Sequence, residues 1–106
     1  MARALINVPP KARKGEIIEI KSLISHPMES GYRVTYNGAL LPRDIIHVFT
    51  CEYNGVEIFR SEFSPAVAAN PFLAFHTVAA ESGKLTFRWV GDNGFDAVET
   101  AEIEVE

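Results

Sequence analysis

At 106 residues, with 47% apolar and 23% charged side chains, the chain is long enough for one core and too apolar to remain disordered. Its net charge of −4 argues against the basic face that nucleic acid demands, and it contains no run of about 18 apolar residues that could span a membrane as a helix. A single cysteine, Cys51, excludes an internal disulfide and any thiolate-rich metal site.

In chain order, short β-branched and aromatic runs alternate with turn signals, and no amphipathic helical stretch persists beyond about two turns. The first run, Leu5–Val8, stops at Pro9-Pro10, and Lys11–Gly15 reads as a basic turn. Glu16–Ile24 is the second run and Ile45–Tyr53 the third. Asn54-Gly55 then predicts a tight hairpin into Val56–Phe63, because both residues tolerate positive φ. Ser64-Pro65 ends that run. Phe72–Ala80, Lys84–Val90 and Val98–Val105 follow, separated by Glu81-Ser82-Gly83 and Gly91-Asp92-Asn93-Gly94. Seven short strands at this spacing predict one all-β domain over residues 1–106, an antiparallel sandwich of immunoglobulin-like or fibronectin-like type.

Alternation assigns the faces. Phe49, Cys51 and Tyr53 share one side, as do Leu85, Phe87 and Trp89; Ala101, Ile103 and Val105 turn inward while Glu102, Glu104 and Glu106 turn to water. Two runs differ. Glu16–Ile24 carries Ile17, Ile18, Ile20, Leu23 and Ile24, and Phe72–Ala80 carries Phe72, Leu73, Phe75 and Val78, so both put apolar groups on both faces. An apolar outer face needs a cover, either another chain or the long segment Ser25–Asp44. That segment has no clear strand of its own, although Tyr36-Asn37-Gly38 is suited to closing a small hairpin within it.

Residues that could carry chemistry are few. Cys51 alternates with aromatic neighbours on a strand, which reads as core filling rather than as a nucleophile. His26, His47 and His76 have no metal-ligand spacing, and His26-Pro27-Met28 is only a weak copper-like pairing of imidazole and thioether. Asp92-Asn93-Gly94 reads as a turn rather than as part of a calcium loop. No phosphate loop or nucleophile elbow is present. The expectation is a binding protein without catalytic group, metal or cofactor. His26, Pro27, Met28 and Arg43 are its candidate partner contacts: the prolines stiffen the segment, Met28 offers an adaptable apolar contact and Arg43 a charged one.

Several stretches together resemble a known family: Lys14–Lys21, Leu23–Gly31 with its Ile-Ser-His-Pro-Met-Glu core, Pro42–Ile46, Tyr53-Asn54-Gly55 with Phe59, Ala68–Leu73, Glu81-Ser82-Gly83 and Asp92-Asn93-Gly94. Nearly the whole chain is similar to SoxZ, a subunit of the bacterial thiosulfate-oxidising Sox system. The resemblance implies an immunoglobulin-like sandwich and a heterodimer with SoxY, which holds the sulfur substrate on a cysteine near its flexible C-terminus. It implies transient contacts with other Sox enzymes and a periplasmic location reached by export with a signal-bearing partner, since Met1–Val8 holds no leader-like apolar stretch. Self-association when the chain is made alone is expected from the residues themselves, through the Ile17/Ile18 and Phe72/Leu73 sets on the outer face. The rival readings are a stand-alone ligand-binding or adhesion module of the same fold and a cysteine-dependent enzyme.

Overall fold

The computed structural model describes residues 3–106. Its eight strands are β1 (Ala4–Asn7), β2 (Lys11–Ala12), β3 (Ile17–Ile24), β4 (Ile46–Tyr53), β5 (Val56–Glu62), β6 (Phe72–Val78), β7 (Gly83–Gly91) and β8 (Asp96–Val105). They form two sheets, ordered β1-β3-β6 and β2-β8-β7-β4-β5. All pairings are antiparallel except that of β2 with β8, which is parallel. This is the expected immunoglobulin-like sandwich. The seven predicted runs recur as strands within a few residues of their predicted ends. Lys11–Ala12, read as part of a turn, forms instead a short parallel strand against Glu104 and Val105.

Period two decides what each strand contributes. Along β3, Ile18, Ile20, Ser22 and Ile24 are buried while Ile17, Glu19, Lys21 and Leu23 are exposed. From the larger sheet Phe49, Cys51, Tyr53, Leu85, Phe87, Trp89 and Ile103 meet them. Phe49 lies at the centre, with ring centroids 5.1 Å from Trp89, 6.2 Å from Phe87 and 6.2 Å from Phe75 of the smaller sheet. Asn54 and Gly55 both take positive φ, 51° and 83°, as their hairpin requires. The Asn54 side chain then locks the neighbouring turn, accepting from the Lys84 N–H at 2.9 Å and donating to Glu81 at 3.1 Å.

The segment between β3 and β4 is not a cover. Glu29 and Asp44 exchange backbone hydrogen bonds, both 2.8 Å, and beyond them the chain makes a hairpin in which Val34 bridges Leu40. Thr35 N–H donates to Ala39 O at 2.8 Å and Leu41 N–H to Arg33 O at 2.9 Å; Gly38, φ 88°, turns the tip. The predicted Tyr36-Asn37-Gly38 closure is therefore present. The outer face of the β1-β3-β6 sheet is left open to solvent.

Where β4 leaves this segment its register with β7 shifts between Ile46 and Val48. Gly91 sits against that bulge: a Cβ there would lie 2.4 Å from the Ile45 carbonyl oxygen and 2.9 Å from Ile46 Cα. Backbone cannot yield as a side-chain end can. Gly91→Ala is expected to destabilise the domain by about 2 kcal/mol, in the range for overpacking, with a clear fall in Tm on thermal denaturation.

Candidate functional site

Two features converge at one end of the sandwich. The first is a row of apolar side chains across the open sheet face. The β1-β3 register sets Leu5 opposite Leu23, and the β3-β6 register sets Leu23 opposite Phe72. Leu5 is 63% exposed, Phe72 59% and Leu23 between them 37%. Shallow hollows flank Leu5 and Leu23, one bounded by Arg3, Ser25 and Asn70, the other by Asn7, Lys21 and Phe72. Farther along the sheet come Lys21, Glu19 and His76, and then Ile17 opposite Val78. Of the two apolar sets foreseen for this face, Ile17 and Phe72 are exposed. Ile18 points into the core and Leu73 packs partly against it.

The second feature is the root of the Val34–Leu40 hairpin, where β3 ends and β4 begins. Asp92 holds it. Its carboxylate accepts two bonds from the Arg43 guanidinium, both 2.9 Å, and one from the Ile45 N–H at 3.1 Å, and lies 2.6 Å from His47 Nε2. Arg43, with the Ile45 amide and His47 after it, holds the Asp92 carboxyl down at about 2, against a smaller opposing effect of burial. Across the root, His26 and Asn70 bind each other reciprocally: His26 N–H donates to Asn70 Oδ1 at 2.9 Å, and Asn70 N–H to the His26 carbonyl at 2.8 Å. The His26 ring is buried edge-on against Phe95, and its Nδ1 accepts from the Met28 N–H at 3.0 Å, so the neutral ring carries its proton on Nε2. Burial pushes its pKa down; Asp44 and Asp92 pull the other way.

The four residues singled out from sequence are gathered here but do different work. Pro27 and Arg43 are on the surface. His26 and Met28 are inside, 4% and 6% exposed, so they shape the root rather than touch a partner. Met28 Sδ accepts from the Ile46 N–H at 3.3 Å and its backbone takes φ 48°. A carboxylate at Met28 would be buried, and its effects on fold and on binding would not separate. Asp92 escaped sequence reading because its partner Arg43 lies 49 residues away. Leu5 escaped because a four-residue strand carries little periodic signal.

The remaining candidates lie elsewhere. Cys51 is fully buried among aromatics, and that desolvation, with the Glu52 charge secondary, raises its thiol to about 12. His76 stands on the open sheet face, 3.9 Å from Glu19. Among the described residues, no group of three His, Cys, Asp or Glu side chains is placed to hold a metal ion.

The fold is an immunoglobulin-like sandwich with an uncovered apolar row and a braced hairpin beside it. The chain belongs to the SoxZ family: the family described as "Sulphur oxidation protein SoxZ" matches residues 6–102. No curated protein matches it. Among solved structures it is similar to superoxide reductase (neelaredoxin) from Ignicoccus hospitalis, with 20% identity and a TM-score of 0.75 over 97% of this chain and 80% of that one. It is also similar to the sulfur carrier protein SoxY from Chlorobium limicola f thiosulfatophilum, with 13% identity and a TM-score of 0.68 over 97% and 78%. A CARDB domain from Pyrococcus furiosus is similar at 13% identity and a TM-score of 0.57 over 100% and 94%. At such identities these likenesses speak for the fold alone.

Two measurements check these placements. Cys51 should resist alkylation in the folded protein and react on denaturation, while Cys51→Ala should cost about 1 kcal/mol, as small core truncations do. For pH, the unfolded chain takes up a proton at an ordinary histidine value, near 6.5, that the buried His26 ring resists. The His26 contribution is thus complete above about pH 6.5 and declines below it. The contribution of Asp92 runs through a lower window: present above its unfolded value of 3.8, it is lost as pH falls toward about 2. Tm should fall from pH 7 to pH 5, and His26→Gln, though less stable overall, should flatten that slope.

Proposed function

We propose that this chain is the non-catalytic subunit of a sulfur-carrier heterodimer, supporting and presenting a SoxY-type subunit during thiosulfate oxidation. Family membership carries the reading. The uncovered row Leu5, Leu23 and Phe72 supports it, because an apolar sheet face of this kind gains by being taken from water. The chain's own thiol supports the division of labour. A group that carries substrate between enzymes has to be exposed and readily deprotonated, and Cys51 is neither. The same reading places the heterodimer in the periplasm, entered together with its partner.

Mixing the purified chain with a SoxY subunit at micromolar concentration and measuring mass on size exclusion tests this. A one-to-one complex is expected. Phe72→Glu should weaken it at least tenfold while leaving Tm near that of the wild type, since the ring lies largely outside the core. A wild-type chain that stays monomeric beside SoxY would instead make it a stand-alone module. Full affinity in Phe72→Glu would move the seam to another face.

A further inference from the structure

We infer that the Tyr32–Pro42 hairpin is a docking arm that closes on the same SoxY-type partner seated on the Leu5-Leu23-Phe72 row, an inference that rests on the function proposed above.

The hairpin stands away from the body. Hydrogen bonds of residues 32–41 stay within the hairpin or reach its own root, as in the Arg33–Glu29 pair at 2.8 and 3.0 Å. The molecule is correspondingly long: its radius of gyration is 16.2 Å, where a compact chain of this size has about 13 Å. Its principal extents are 59 × 20 × 19 Å. The longest strand, β8, has ten residues and accounts for roughly 33 Å of the long axis. With the two short axes filled by the sandwich itself, the hairpin extends along the strand direction.

Its two faces differ in character. Residues 33 and 41, and 35 and 39, are the hydrogen-bonded pairs, so Val34 and Leu40 meet in the non-bonded position where side chains are closest. Alternation places Tyr32 and Pro42 on that same side. Tyr32 is 79% exposed, Val34 58% and Leu40 66%, and the Tyr36 ring at the tip is wholly in solvent. Arg33 is on the opposite side, committed to Glu29. A two-stranded hairpin is at best marginal in water, and an uncharged apolar side gives it no help there. The root, by contrast, is braced. Asp92 grips Arg43 and the Ile45 amide, and Gly31, at φ 88°, lets the two legs approach until the position of a Cβ would be 3.0 Å from that of Arg43. An arm already held in place loses little freedom on docking.

Area and position identify the occupant. A stable interface takes about 800 Å² and some 20–30 residues from each side, which three side chains at one end of a narrow sheet do not supply. The arm springs from the chain just beyond β3, at the end of the sheet where Leu5, Leu23 and Phe72 lie, and it adds two tyrosines, a residue type favoured at binding hot spots. One partner covering both surfaces completes a single interface, and the face it meets on the arm must be apolar and uncharged.

The test uses the full chain and purified SoxY subunit. A Val34→Asp, Leu40→Asp double variant should dissociate from SoxY at least tenfold faster than wild type with Tm unchanged, because neither side chain touches the core. Amide exchange across residues 33–41 should slow in the complex. Wild-type dissociation in the double variant together with equal exchange in the free and bound chain overturns the arm; a Phe72→Glu defect in the same series then leaves the heterodimer reading standing. Absence of any complex with the wild-type chain overturns both. Concentration-dependent protection of the hairpin in the chain alone makes a second copy its occupant and also overturns the inference.

Discussion

Phe49 is where the two sheets become one structure. Its ring touches Phe87 and Trp89 in its own sheet and Phe75 across the sandwich, and Phe75 stacks in turn on Phe59 at a centroid distance of 4.2 Å. Everything else follows from keeping this contact dry. The inward positions of β3, β4, β6 and β7 must be apolar and in step, and the outward positions are released from the core. A three-stranded sheet packed on a five-stranded one leaves the smaller sheet with a whole outer face to dispose of. In β5 and β8 the outward positions are mostly charged or polar, which suits water and discourages pairing at a sheet edge. In β1, β3 and β6 they include Leu5, Leu23 and Phe72.

That contrast was partly legible in the sequence. Apolar residues at both parities of β3 and β6 said that the outer face is unlike that of an ordinary sandwich strand, and the structure shows that the Ser25–Asp44 segment does not lie over it. Local chemistry was read well wherever it is local: Asn54-Gly55 and Tyr36-Asn37-Gly38 each close a hairpin with positive φ at glycine. What stayed hidden depends on partners distant along the chain. Lys11–Ala12 is a strand only because Glu104 and Val105 run beside it, and no periodicity in two residues can announce that. Asp92 looks like any turn aspartate until Arg43 and Ile45 are folded against it.

His26-Pro27-Met28 shows a different limit. The residue types stand out in the sequence, but their direction follows from the alternation of β3 continuing beyond its last paired residue, which a proline in the segment conceals. The in–out alternation of β3 runs on through Ser25, His26, Pro27 and a left-handed Met28, and the imidazole and thioether become internal acceptors for the amides of Met28 and Ile46. Groups that look like recognition chemistry thereby serve as backbone satisfaction at a sharp bend, where main-chain donors would otherwise be buried without partners. The surface of this end is made instead by neighbours with plainer side chains.

Cys51 has a consequence beyond packing. A chain with one thiol, sealed in its core, has no redox state to choose. It needs no oxidant to complete its fold and no reductant to protect it, and its topology contains no covalent link that a change of compartment could make or break. The fold of these residues is therefore independent of the redox state of its surroundings.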